Sequence, residues 1–232
     1  ARAEFDFADV MERVQRVIRT VEPHDSAERY SGLGVEVIEG TATIVSPWEV
    51  DIVRNSGESE RLSARSIVIA TGARPFIPPI PGIEAVGYCT SDTVWELREL
   101  PRRLLVLGGG PIGCELTQAF ARCGASVTQV QHGPRIMVRE DPEVSELVMQ
   151  RFRAEGIAVL VNHEARKFVI EDGEKILVAE HQGQEVRIPF DALLVAVGRV
   201  ANIAGYGLEE LGIAAGRTIE TNDFLQTKYP NI

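Results

Sequence analysis

Apolar residues Phe7, Val10, Met11, Val14, Val17, Ile18 and Val21 recur at helical spacing, with arginines between them, and predict an amphipathic helix from Phe5 to Val21. Pro23 helps to end it, and Asp25-Ser26 can cap a second short turn through Tyr30, closed by Gly32 and Gly34. From Val35 the period changes to two. Val35–Ile38 reads as a strand, followed by a small antiparallel meander over Thr41–Val45, Val50–Val53 and Arg61–Ser63. Ser66–Ala70 reads as a buried strand ending in Thr71-Gly72-Ala73. A crossing with Pro75, Pro78, Pro79 and Pro81 follows and is the best candidate connector, and Ser91 or Asp92 can cap a helix through Leu97.

Beyond Pro101 the pattern alternates. Arg103–Leu107 is a strand, Ile112–Arg122 a helix stopped by Gly124, and Ala125–Val130 a second strand. A helix capped by Asp141 with Pro142 in its first turn runs to Ala154, and Gly156–Val161 is a third strand. This alternation predicts a parallel sheet with right-handed crossovers. Three short strands then follow, Arg166–Ile170, Lys175–Glu180 and Glu185–Ile188, with turns at Asp172-Gly173 and Gln182-Gly183. A last apolar strand, Ala192–Val197, ends at Gly198-Arg199. Each half repeats one scheme, so that Ala70-Thr71-Gly72 and Ala196-Val197-Gly198 occupy matching places; this internal echo points to two related nucleotide-binding domains.

The chemistry concentrates after the first parallel strand. Gly108, Gly110 and Gly113 have the spacing G-x-G-x-x-G within Gly108-Gly109-Gly110-Pro111-Ile112-Gly113, between a legible strand and a legible helix. The first glycine allows the tight turn, the second lets backbone approach a pyrophosphate, and the third packs helix on strand. The free N–H groups and positive end of the helix then face the phosphates. The bland alternative is a glycine-rich turn in an unrelated α/β protein.

Composition narrows the partners. The 232 residues suit one large domain or two small ones, and 44% apolar with 25% charged residues is ordinary for a soluble globular protein. A formal charge of −10 argues against a nucleic-acid or anionic-membrane surface. No apolar run reaches membrane-spanning length, and no signal peptide heads the chain. Cys89, Cys114 and Cys123 have no C-x-x-C spacing and read as free thiols of a reducing, cytoplasmic compartment, with Cys114 and Cys123 buried. The four histidines have no metal-ligand spacing, and no residue is assigned to catalysis. The chain opens at Ala1 and closes on Pro230-Asn231-Ile232, and reads as a piece of a longer protein.

The chain resembles the flavin-dependent pyridine nucleotide-disulfide oxidoreductases, a family that includes dihydrolipoamide dehydrogenase, glutathione reductase and mercuric reductase. The resemblance is carried by Ala70–Pro75, Thr90-Ser91-Asp92, Leu107–Glu115, Val197–Asn202, Gly207–Ile213 and Thr221–Ile232. Arg139–Pro142 with Phe152–Ile157 is most similar to the mercuric reductase branch. The resemblance implies an α/β fold: a Rossmann-like doubly wound parallel sheet with an antiparallel β-meander, plus part of a related FAD-binding domain. It implies the latter part of the FAD domain over residues 1–100, an NAD(P)-binding domain over 101–222, and the start of the return to the FAD domain over 223–232. The family's N-terminal flavin loop, its C-x-x-x-x-C pair and its dimerisation region with a His-Glu pair are outside this sequence, and Ala201 stands where the family usually has Pro.

In the parent protein, expected to be a homodimer, a nicotinamide would pass hydride to FAD and onward to a disulfide or similar acceptor. By resemblance, Gly108–Gly113 hold the pyrophosphate, Glu115 lies near the nicotinamide side, and Ala165, Gly198 and Arg199 line the nucleotide. Against this, Glu115 can simply be a carboxylate favoured by the helix dipole, and Ala165 a plain strand residue. Gly40-Thr41-Ala42 and Thr71-Gly72 would touch FAD through backbone, or serve only as strand turns. The residue about 20 positions past the first glycine selects the ribose, an acidic one binding the 2′-OH of NAD. Here Gln131, His132 and Arg135 stand in that region, which tilts the choice towards NADP without excluding NAD; alternatively His132 and Arg135 are solvated loop residues. The chain alone is expected to be inactive and not to retain FAD. The competing functions are a stand-alone NAD(P)-binding module and a different Rossmann oxidoreductase; the latter lacks a His/Asp or Tyr/Lys constellation for proton transfer.

Overall fold

The computed structural model describes residues 5–232. In chain order its elements are α1 (Phe7–Val21), a 3₁₀ turn (Glu22–Asp25), α2 (Ala27–Gly32), β1 (Gly40–Ser46), β2 (Glu49–Arg54), β3 (Ser59–Ser63), β4 (Ala73–Pro75) and α3 (Ile83–Val86). A 3₁₀ turn (Val94–Glu96), β5 (Arg103–Leu107), α4 (Pro111–Cys123), β6 (Ser126–Gln131), α5 (Pro142–Ala154) and β7 (Ala158–Val161) follow. The chain ends with β8 (Glu164–Glu171), β9 (Glu174–His181), β10 (Gln184–Phe190), β11 (Ala192–Val195) and β12 (Arg199–Ala201). These residues form two compact units: the described residues up to Arg19 with Pro75–Gly198, and Thr20–Arg74 with Arg199–Ile232.

The first unit is built on a four-stranded parallel sheet of order β11-β5-β6-β7. Its strands are buried on both faces, so their apolar side chains divide by parity rather than alternating with polar ones. Leu104, Val106, Val127 and Leu194 face Leu116 and Phe120 of α4, with Phe7 and Met11 of α1 and Val94 completing that layer. Leu105, Leu107, Val130, Leu193 and Val195 face Phe168, Leu177, Ala179, Ile188 and Phe190 of the antiparallel sheet β10-β9-β8. α5 adds Met149 and Phe152 to a third cluster with Cys114, Ile136 and Ile157. The unit is therefore a sandwich of helices, parallel sheet and antiparallel sheet, the predicted α/β class.

The β8–β10 meander is set by its turns. Asp172-Gly173 and Gln182-Gly183 both have positive φ at the two central residues (50° and 82°, 53° and 77°). Positive φ at both positions is the type I′ geometry, whose twist matches that of paired strands. α4 begins at Pro111, where a missing N–H leaves no bond unmade, and stops at Gly124 in the left-handed conformation.

The second unit contains the antiparallel sheet β1-β2-β3 and the pair β12-β4. Its core is Ile44, Leu208, Ile213 and Ile232, with Ile67 and Ile69 packed at the edge. Ser26 caps α2, its hydroxyl accepting the Arg29 N–H at 3.2 Å, as expected from sequence.

Four sequence expectations need correction. Val35–Ile38 and Ser66–Ala70 form no strand and join no ladder; Ile67 N–H donates instead to Asn231 O at 2.8 Å, and Val68 is 87% exposed. Alternation encodes which face a residue presents, not which strand pairs with it. The helix expected through Leu97 is only the 3₁₀ turn Val94–Glu96, and the local side-chain caps come from Thr90 and Thr93 rather than from Ser91 or Asp92: Thr93 Oγ1 accepts the Thr90 N–H and Thr90 Oγ1 accepts the Asp92 N–H. The α1 helix itself forms as expected, its apolar stripe buried at Phe7 and Met11 and exposed at Val17, Ile18 and Val21. Cys123, expected to be buried like Cys114, is only half-buried.

Candidate functional site

The site is built around the exit of β5. Gly108 turns the chain at φ 111°, a conformation that favours glycine, and a Cβ there would lie 2.4 Å from Ala196 O. A Cβ on Gly109 would lie 2.8 Å from the Ile136 side chain, and one on Gly113 would lie 2.4 Å from Gly108 O. Gly110 differs. Its φ of −78° and ψ of 177° suit any residue, and nothing stands within 4 Å of where its Cβ would be. Three glycines are thus required by the protein's own packing, whereas the space beside Gly110 is open.

The hydrogen bonds sharpen that division. Gly109 is fully engaged: its N–H donates to Gln131 Oε1 at 3.0 Å and its carbonyl accepts the Met137 N–H at 2.6 Å. The Cys114 N–H makes the first turn of α4 with Gly110 O at 2.9 Å. The N–H groups of Gly110, Ile112 and Gly113 make no backbone hydrogen bond among the described residues. They lie at the positive end of a helix of 13 residues, beside the open space at Gly110. Free donors, a helix N-terminus and room for a ligand are what a pyrophosphate requires, so these residues fit the phosphate-bearing part of a dinucleotide.

Around the loop, the predicted residues separate. Gln131 is at the end of β6 and touches the loop directly. Because a backbone N–H can only donate, the Gln131 oxygen faces Gly109 and its amide NH₂ is turned away. Arg135 donates to Glu140 O at 2.8 Å and Val138 O at 2.9 Å, pinning its own loop, while His132 is exposed. Glu115 is exposed on α4. Ala165 is half-buried beside the bulge in β8 and packs against the Leu177 cluster. Gly198 is exposed at φ 131°, and its carbonyl accepts the Phe76 N–H at 2.9 Å.

The positions linked to flavin are in the second unit. A Cβ on Gly40 would lie 2.4 Å from Val53 O, so its glycine is explained by the β1–β2 ladder that also holds Thr41 and Ala42. Thr71 Oγ1 donates to Asn202 O at 2.7 Å, and Asn202 returns bonds to Thr71 O at 2.9 Å and Gly72 O at 3.0 Å. The Arg199 guanidinium donates to Ala73 O. The geometry accounts for these residues within the protein, and their assignment to flavin rests on resemblance. Gly72 (φ 69°) and Gly198 (φ 131°), the glycines matched in the sequence, both have positive φ.

No redox or metal centre is assembled among the described residues. The three cysteines are free, and burial raises the thiol pKa of each, Cys114 most fully enclosed. Among the described residues no group of three His, Cys, Asp or Glu side chains is placed to hold a metal, and no helix is long and apolar enough to cross a membrane.

Sequence reasoning passed over Gln129. It is fully buried on β6, where it faces α4, and its Nε2 donates to Gly108 O at 3.0 Å. The signal was present: an amide at an inward position of a strand buried on both faces is out of place.

A glycine-looped β-α-β unit with an inserted antiparallel sheet defines a mixed α/β protein. Residues 8–232 match the model of the pyridine nucleotide-disulphide oxidoreductases, and the chain belongs to that family. It is similar to a mercuric reductase of Streptomyces lividans, 38% identical over 89% of this chain and 44% of the relative. A soluble pyridine nucleotide transhydrogenase of Pseudomonas putida is 32% identical over 98% of this chain and 49% of its own length. Among solved structures, the HOCl-induced flavoprotein disulfide reductase RclA from Escherichia coli superposes with a TM-score of 0.85 at 26% identity, over 98% of this chain and 51% of that one. The chain thus spans about half of the proteins it resembles.

Proposed function

We propose that residues 101–222 form the nicotinamide-nucleotide domain of a flavoprotein oxidoreductase that passes hydride from NAD(P)H to FAD and on to a disulfide or similar acceptor. The observation that carries this reading is the contrast at the glycine loop. Of the four glycines of the loop, Gly110 alone has open space at its Cβ, beside the N–H groups of Gly110, Ile112 and Gly113. These residues would hold the pyrophosphate, with Glu115, Ala165, Gly198 and Arg199 towards the rest of the nucleotide. Bound there, the nucleotide supplies the hydride; the protein supplies position and charge. Flavin would meet Gly40-Thr41-Ala42 and Thr71-Gly72 in the whole protein, a homodimer acting in the cytoplasm. The segments 35–39 and 66–70, outside any ladder and with Val35, Val37 and Val68 exposed, favour a flavin domain completed by further strands. This chain alone neither retains FAD nor turns over.

NADPH is the favoured nucleotide. With its oxygen on Gly109, Gln131 offers the ribose a donor NH₂ and no carboxylate, which does not repel a 2′-phosphate, and His132 and Arg135 follow on the same rim. Titration of NADPH and NADH against the wild type and Arg135→Ala tests this. Tighter NADPH binding, weakened selectively in the variant, is expected. Tighter NADH binding, or an indifferent variant, contradicts the preference.

A further inference from the structure

The peptide unit joining Gly108 to Gly109 is held at both ends by side chains of one strand. Its carbonyl oxygen accepts from Gln129 Nε2, and its N–H donates to Gln131 Oε1, each at 3.0 Å. Gln129 and Gln131 are two residues apart on β6 and therefore share a face. The orientation of both amides is fixed by their partners, since a carbonyl only accepts and an N–H only donates.

Gln129 is a poor resident for its place unless it has this task. It is 0% exposed, and its Oε1 is buried without a hydrogen-bond partner, as is Thr117 Oγ1 on α4. Val127, on the same face of β6, is apolar and buried. A buried amide with an unmatched oxygen is disfavoured relative to an apolar side chain of the same shape. The Gly113 Cβ position, 2.4 Å from Gly108 O and 3.3 Å from Gln129 Nε2, shows that carbonyl, amide and helix meet in one crowded contact.

We propose that Gln129 is a positioning residue for the glycine loop, acting with Gln131 as a two-point clamp on the 108–109 peptide. A peptide between two glycines is the easiest in a chain to rotate. Held by its oxygen and its N–H, it cannot turn over, and the N–H groups of Gly110, Ile112 and Gly113 stay aimed at a diphosphate before one arrives. Such preorganisation strengthens binding by removing an ordering cost at the moment of association. The group recognised is the diphosphate diester common to NADH and NADPH, so the clamp acts equally on both, unlike the rim residues. The proposal rests on the reading of this loop as a nucleotide site.

The test uses the purified chain with Gln129→Met and Gln129→Glu. Gln129→Met keeps the shape and removes the donor; binding of NADH and of NADPH is expected to weaken equally, on the order of ten-fold, with the melting temperature held or raised. Gln129→Glu can donate to Gly108 O only while its buried carboxyl is protonated. Its affinity is expected near wild type at low pH and to fall as pH rises, beyond any change in the wild type. A merely structural role moves melting temperature but not this profile. Unchanged affinity in Gln129→Met overturns the proposal; if that variant does not fold, a flat pH profile in Gln129→Glu does so. Hydrogen exchange of the Gly109 amide without ligand reads the clamp independently: faster exchange in the Gln129 variants supports it, and unchanged exchange overturns it. Wild-type protein that binds neither nucleotide overturns the site assignment instead, while the exchange experiment still judges the clamp.

Discussion

Gly110→Ala and Gly113→Ala make the same chemical change three residues apart, and the structure assigns them opposite consequences. At Gly113 the added methyl would stand 2.4 Å from Gly108 O, a backbone atom fixed by the β5 turn, so α4 must move off the sheet. Overpacking of this kind destabilises by about 1–3 kcal/mol, which for a domain of this size lowers the melting temperature by roughly 2–12 °C. At Gly110 the methyl meets no protein atom and the backbone is already in an ordinary region. Reduced freedom of the unfolded chain favours alanine by about 0.4–1 kcal/mol, and a less suitable helix cap offsets part of that gain. Net stability therefore stays within about 1 kcal/mol of wild type. The same methyl occupies the space beside the Gly110, Ile112 and Gly113 N–H groups and should weaken nucleotide binding at least about ten-fold, or 1.4 kcal/mol. Thermal unfolding and calorimetric titration with NADPH, run on both variants, read the two effects separately. A Gly110→Ala protein that is folded and binds as well as wild type refutes the pyrophosphate assignment. One that is strongly destabilised refutes the open space on which the argument stands.

Other consequences follow from the packing and charge. Glu155 receives Gln118, Arg122 and Arg151, and the Arg122 hydrogen bond leads the interactions that hold its carboxyl down at about 2. Its contribution is complete above the unfolded carboxylate value and is lost as pH falls through about 2. Gln in its place should lower the melting temperature at neutral pH and leave a shallower decline in acid; an identical acid profile contradicts the assignment. Phe190, 2% exposed, meets Phe168 edge-on with ring centres 5.9 Å apart at the junction of the two sheets. Phe190→Ala should destabilise by about 3–5 kcal/mol, measured by urea unfolding, and a loss below about 1 kcal/mol would contradict this packing.

The parallel sheet and its meander were legible because local signals there agree with the fold. Asp172-Gly173 and Gln182-Gly183 dictate tight hairpins wherever they fall, and the strands they join are continuous in sequence. The segments 35–38 and 66–70 carry apolar strand signals yet join no ladder, since strand pairing depends on a distant partner that their own residues do not specify. At the site, glycine spacing identified the loop but not the division of labour within it. That Gly109 is occupied by Gln131 and Met137 while Gly110 is open depends on side-chain and backbone positions set by folding. Arg135 shows the converse: its charge suggested a phosphate partner, and its guanidinium is also bonded to two carbonyls of its own loop.

The central claim is that a nicotinamide nucleotide binds with its diphosphate on the loop after β5. Titration of the ¹⁵N-labelled chain with NADPH, followed amide by amide, tests it most directly. The account predicts saturable shifts that are largest at Gly110, Ile112 and Gly113, with Gly109 little changed because its N–H is already held by Gln131. Saturable shifts elsewhere with those three amides unmoved, or no saturable shift at all, would contradict it.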